Sequence, residues 1–65
     1  MTFTEILHRI VDKHNLSAKE ASFALTQIIE GNCTEIEAGA FLFGMRAKGE
    51  TIAELTAFVQ TMRNT

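Results

Sequence analysis

The sequence has no proline, no tryptophan and no tyrosine, and Cys33 is its only cysteine. Without proline, nothing forces a helix to break, so every interruption must come from glycine or from capping chemistry. A single cysteine excludes an internal disulfide framework, and with only His8 and His14 to join it there is no cysteine-rich zinc site. Positive charge is not concentrated anywhere: six Lys and Arg are spread along the chain against eight Asp and Glu, for a net charge of -2. That is not the footprint of a nucleic-acid binder. Long hydrophobic runs are also missing. The longest, Ala38 to Met45 with its glycines included, falls well short of the roughly 20 residues that cross a bilayer. The opening "MTFTEILHRI" carries Glu5 and lacks the basic start and apolar middle of a secretory signal. A cytoplasmic chain that binds neither membrane nor nucleic acid is expected.

What remains is 65 residues with 46% hydrophobic content. A chain of this size buries only about 60% of its unfolded surface on folding. Its core is worth about 3 to 5 kcal/mol, so small natural domains add a disulfide, a metal or a partner surface. Only the last of these supports is left.

One pattern recurs four times: Thr2-x-x-Glu5, Ser17-x-x-Glu20, Thr34-x-x-Glu37 and Thr51-x-x-Glu54. In each, the hydroxyl is placed to accept from the third helical amide while the glutamate reaches back to the cap amide, satisfying two donors that a helix start leaves open. An amphipathic run follows every box, which marks a helix start. Gly31 and Gly49 stand where a left-handed residue would end the second and third helices, and His14-Asn15 would end the first. Leu16 and Ala21 fit a hydrophobic staple across the second start. No segment alternates with period two. The spacing therefore predicts an all-α fold, a small four-helix bundle-like domain over residues 1–65 with helices at about 3–14, 18–30, 35–48 and 52–63.

The apolar faces follow from helical spacing. The first helix would present Phe3, Ile6, Leu7, Ile10 and Val11, the second Ala21, Ala24, Leu25, Ile28 and Ile29, and the fourth Ile52, Leu55, Phe58, Val59 and Met62. The third differs, because Ile36, Ala38, Ala40, Phe41, Leu42, Phe43 and Met45 surround its axis. A helix apolar all round is expected to be covered on most sides. Gly39 and Gly44 within it cost about 1 kcal/mol each relative to alanine, so they are expected to admit another backbone closely. That neighbour is either one of the chain's own helices or a second subunit or domain.

Catalytic chemistry is harder to find. His8 and His14 are not at the i, i+4 spacing of a helical zinc pair and read as exposed helix histidines. Cys33 precedes a helix start, where the dipole favours a thiolate, but no base is placed beside it, and an incidental cysteine explains it as well. Glu30, Glu35 and Glu37 resemble an acid-base cluster, yet acidic residues in a first helical turn already suit the macrodipole, as Arg46 and Lys48 suit the end of the third helix. There is no phosphate-binding glycine loop and no Ser/His/Asp arrangement. A helix-turn-helix would need a basic recognition helix; the fourth helix offers only Arg63 and the third is apolar.

The stretch "AFLFGMRAKGETIAELTAFVQTMR", Ala40 to Arg63, resembles the N-terminal helical segment of the anthranilate phosphoribosyltransferase family, which also includes pyrimidine nucleoside phosphorylases. "LSAKEASFALTQIIEGNCTEIEAGAFL" is similar to the same family's second and third helices, so the resemblance covers essentially the whole chain. The motif "MRAKGET" followed by "ELTAFV" is its most specific part and is less like the nucleoside phosphorylases. The resemblance implies a small helical domain packed beside a larger α/β domain, with helical domains supplying much of a homodimer interface. It also implies an enzyme that joins anthranilate to the ribosyl group of phosphoribosyl pyrophosphate with Mg2+, releasing pyrophosphate in a cleft between the domains.

The resemblance places the family's glycine-rich phosphate loop beyond Thr65, so the catalytic α/β domain is expected to be absent from this chain, and no catalytic, cofactor or metal residue carries over. What carries over is architectural. Gly39, Phe41, Leu42, Phe43, Gly44, Met45, Phe58 and Met62 are the expected contacts to a partner helical domain or to that α/β domain. The alternatives are a free-standing helical interaction module and the equivalent domain of a pyrimidine nucleoside phosphorylase.

Overall fold

All four hydroxyl-x-x-Glu boxes open a helix. In the computed structural model, which describes residues 1–64, α1 spans Phe3–Val11, α2 Ala18–Ile29, α3 Glu35–Lys48 and α4 Ile52–Arg63, and no strand occurs among the described residues. Thr2, Ser17, Thr34 and Thr51 each sit in extended backbone at the N-cap. Each hydroxyl accepts from the amide of its glutamate at 3.1 to 3.2 Å, and each glutamate accepts from the cap amide at 2.8 to 2.9 Å. Losing one such cap costs about 1 kcal/mol.

The helix ends are as local as the starts. Gly31 and Gly49 both take positive φ, as a left-handed stop requires. At α1 the same geometry falls on Lys13, with φ of 60°. Its amide donates to Ile10 O and the His14 amide to Arg9 O, both at 2.9 Å, the paired bonds of a Schellman stop. Helix α1 therefore ends at Val11 and not at residue 14. The α2 end repeats these bonds from Gly31 to Ile28 and from Asn32 to Gln27.

Helix α1 packs on α3 and α2 on α4, with a smaller contact between α1 and α2. Between the pairs lies a core of Phe3, Ile6, Ile10, Leu16, Ala21, Ala24, Phe41, Met45 and Ala57. Phe41 is its centre: wholly buried, its ring lies 5.7 Å from that of Phe3 and 6.1 Å from that of Phe58, joining α1, α3 and α4. Tilted and edge-on ring pairs of this kind add about 0.5 to 1.5 kcal/mol each beyond their burial.

Several expected faces are displaced. Helix α3 is covered on one side only, since Phe41 and Met45 are buried while Ile36, Leu42 and Phe43 are exposed. Val11 on α1 and Ile29 on α2 also face outward. On α4 the covered positions are Glu54 and Ala57, with Phe58 half-buried, whereas Ile52, Leu55, Val59 and Met62 are exposed. The physical reason is that Glu54, bonded to Leu16 and Lys48, takes the covered side together with Ala57, and one rotational setting of the helix then turns its larger side chains outward.

The two helical glycines have different surroundings. A Cβ on Gly44 would stand 2.6 Å from Ile10 Cγ2, so this glycine lets α1 seat against α3. A Cβ on Gly39 would meet nothing within 4 Å. Gly44→Leu is therefore expected to lower the unfolding free energy by about 1 to 3 kcal/mol, because buried, β-branched Ile10 has little rotamer freedom to yield. Gly39→Ala is expected to raise it by about 0.5 to 1 kcal/mol through helix propensity alone. Urea titration followed by circular dichroism reads both, and equal shifts for the two would contradict this packing.

Candidate functional site

Glu54 opens α4 as the third residue of a capping box, like its three counterparts, but it alone is wholly buried. One carboxylate oxygen accepts from the Thr51 amide at 2.8 Å and the other from the Leu16 amide, 38 positions earlier, at 2.6 Å. Lys48 Nζ completes the shell, 2.8 Å from Oε1 and 3.0 Å from Oε2. The lysine is itself covered and also donates to Gly49 O at 2.9 Å and Asn15 Oδ1 at 3.3 Å. A buried ion pair repays its desolvation only when its remaining polar atoms are satisfied. Here every buried side-chain nitrogen and oxygen among the described residues has a partner.

Burial of Glu54 pushes its pKa up, but the Lys48 hydrogen bond, the Thr51 and Leu16 amides and the lysine charge together outweigh it and hold the carboxyl below the ordinary glutamate value. The carboxylate thus stays ionised at neutral pH and pins the end of α3, the start of α4 and the α1–α2 connection at one point. Sequence alone does not distinguish this glutamate from the other three. The only hint is Lys48, six residues before it across the Gly49 turn.

Two apolar faces are open to solvent. The first is a groove of ≈370 Å³ between α1 and α3, walled by Leu7, Val11, Ala40, Phe43 and Ala47 over a floor at Gly44 and Ile10. Val11 and Phe43 are each 77% exposed. The second is the α4 stripe of Ile52, Leu55, Val59 and Met62, with a shallow depression beside Leu55 and Val59. Exposed large apolar side chains aligned on one element mark interaction surfaces rather than scattered surface residues. A third hollow, between α2 and α4, is polar and lined by Ser22, Thr26, Gln60 and Thr61 among others.

Of the expected contact residues, Leu42, Phe43 and Met62 are exposed and Gly39 lies on the open side of α3. Phe41 and Met45 belong to the core, and half-buried Phe58 packs against it. These two core residues are taken up by the chain's own helices, because they lie on the α3 side opposite Phe43. Gly44 faces Ile10 of α1.

His8 and His14 are exposed, and Cys33 is half-buried against the core with a free thiol. Among the described residues no three His, Cys, Asp or Glu side chains are grouped to hold a metal ion. No helix there is long and apolar enough to cross a membrane.

Residues 4–65 match the family model described as "Glycosyl transferase family, helical bundle domain". The chain is similar to proteins named anthranilate phosphoribosyltransferase: 46% identical over 63 residues to that of Stutzerimonas stutzeri (strain A1501), and 43% over 63 residues to that of Pseudomonas syringae pv. syringae (strain B728a). Both alignments cover 97% of the chain and 18% of the relative. The Pseudomonas aeruginosa (strain LESB58) protein of that name is 46% identical over 57 residues, 88% of the chain and 16% of the relative. The chain thus spans less than a fifth of the length of these curated relatives. No solved structure matches it.

The buried pin has a sharp energetic signature. Lys48→Met leaves an ionised Glu54 covered without its cation and is expected to cost about 3 to 5 kcal/mol, as much as the whole stability of a domain this size, so the variant should be largely unfolded in water by circular dichroism. Because the folded carboxyl lies below its unfolded value, its contribution is fully present above the ordinary glutamate range and is lost as pH falls through the depressed value. Urea stability of the native chain should therefore fall on acidification from pH 7 to about pH 3. Glu54→Gln, weaker at neutral pH, should lose less over the same interval; an equal loss would remove Glu54 as the cause.

Proposed function

The chain belongs to the glycosyl transferase family as its helical bundle domain, and on that premise we propose that it is the non-catalytic N-terminal helical domain of an anthranilate phosphoribosyltransferase acting in tryptophan biosynthesis in the cytoplasm. In the parent enzyme, anthranilate would be joined to the ribosyl group of phosphoribosyl pyrophosphate, with Mg2+ and with release of pyrophosphate. The chemistry would belong to an α/β domain, since no acid, base, nucleophile or metal cluster is assembled on these helices. The role of the chain would be to form a dimer contact and one wall of the interdomain cleft.

One observation carries this reading: two apolar faces on opposite helix pairs stay uncovered while the polar interior is completely satisfied. A domain with a finished interior and two unfinished surfaces is suited to being held between neighbours. The internal pin supports such a role, because a wall and a dimer contact must keep a fixed relation to each other to shape one cleft.

The test is a chimaera in which residues 1–65 replace the matching segment of the Stutzerimonas stutzeri protein, assayed for phosphoribosyl transfer to anthranilate. Turnover within about tenfold of the parent is expected, because misplaced walls cost about a hundredfold. The isolated chain should show none. A folded chimaera without activity, or turnover by the pure chain, would overturn the assignment.

A further inference from the structure

Two of the four capping glutamates do more than cap. Glu20 opens α2 by accepting from the Ser17 amide through one carboxylate oxygen, at 2.9 Å, while Arg9 Nε of α1 stands 3.1 Å from the other. Glu54 opens α4 by accepting from the Thr51 amide and is gripped by Lys48 from the end of α3. Glu37, by contrast, makes among the described residues only the two bonds of its own box. The arrangement is regular. Each helix of the α1–α3 pair sends one cation to the capping glutamate of one helix of the α2–α4 pair. Both grips lie beside the α1–α2 connection: Arg9 is in the last turn of α1 and Glu20 in the first turn of α2, and Asn15 and Leu16 bond to Lys48 and Glu54.

A capping glutamate is tied to the first turn of its own helix, so a cation that holds it fixes the rotation of that helix as well as its position. Apolar contact is non-directional and does not do this. The packing of α1 on α2 is also smaller than the packing within either pair, so the two grips have little competition in setting how the pairs meet. Resting on the interdomain wall proposed above, we propose that Arg9 and Lys48 are positioning residues for the transfer reaction. Through Glu20 and Glu54 they set the angle of the α2–α4 pair against the α1–α3 pair, and with it the place of the wall that these helices present to the substrates. The two grips differ in strength, because Lys48 and Glu54 are covered whereas Arg9 is exposed and Glu20 half-buried.

The chimaera carrying residues 1–65 in the Stutzerimonas stutzeri protein tests this through KM. Glutamine keeps a capping box intact, so Glu→Gln removes the ion pair and leaves the helix start in place. Glu20→Gln is expected to raise the KM for anthranilate or for phosphoribosyl pyrophosphate about threefold, and Glu54→Gln about tenfold, since a misplacement on the order of 1 Å costs about a hundredfold and an exposed pair holds less firmly than a buried one. Arg9→Met should match Glu20→Gln, and Arg9→Lys, which keeps the cation, should restore the native KM. Glu37→Gln, the same change at a box without a cation, should leave both KM values unchanged. A variant that only unfolds loses active molecules and turnover in proportion but keeps its KM, so the KM shift separates positioning from stability. Native KM values in Glu20→Gln, Arg9→Met and Glu54→Gln, or an equal shift in Glu37→Gln, would overturn the two grips while the turnover of the unmodified chimaera upholds the helical-domain reading. A folded but inactive unmodified chimaera would overturn both.

Discussion

The arrangement of this fold depends on one buried carboxylate. Glu54 receives a lysine and two backbone amides from three places in the chain, at 2.6 to 3.0 Å, and every bond it makes removes a cost that its burial created. A charge so placed cannot be shifted by a turn without leaving an amide, an ammonium or itself unpaired in a covered site. It therefore specifies how the α3 end, the α4 start and the Leu16 connection meet, which a small and partly alanine-lined seam would leave loosely determined. The aromatic contacts around Phe41 supply cohesion, but apolar contacts are less directional than the Glu54 shell.

The surfaces follow from that choice. Once α4 is anchored through Glu54, Ala57 is turned inward and Ile52, Leu55, Val59 and Met62 outward, because an α-helix has one rotational setting for all its residues. The same holds for α3, where seating Phe41 and Met45 against α1 through Gly44 sends Phe43 and Ile36 to the opposite side. The greasy segment Gly39 to Met45 is thus shared between two purposes. Phe41 and Met45 build the interior, and Leu42 and Phe43 are left exposed.

Belonging to a helical bundle domain family, while spanning less than a fifth of relatives named anthranilate phosphoribosyltransferase, is consistent with this division of a short chain into a finished interior and unfinished faces. The two glycines inside α3 differ in what surrounds them. Gly44 is tied to the chain's own packing through Ile10, whereas Gly39 faces open space and is free to serve a contact.

How much was legible in the sequence follows the range of the interactions. The four helix starts, the stops at Gly31 and Gly49 and the all-α class are written in neighbouring residues, because capping bonds join positions three apart and a left-handed stop is a property of one backbone unit. The early end of α1 was harder to read, since its left-handed residue is Lys13 and no glycine marks it. Hydrophobic spacing alone placed α4's larger residues inward, but a capping glutamate that also meets Leu16 and Lys48 set the rotation instead. That meeting of residues 16, 48 and 54 is a long-range event with no local signature. The sequence by itself therefore determined which segments are helices and where they begin, through short-range hydrogen bonding. Which faces of those helices are buried and which stay exposed was decided only by the tertiary structure, because a charge can be satisfied in the interior at very few positions.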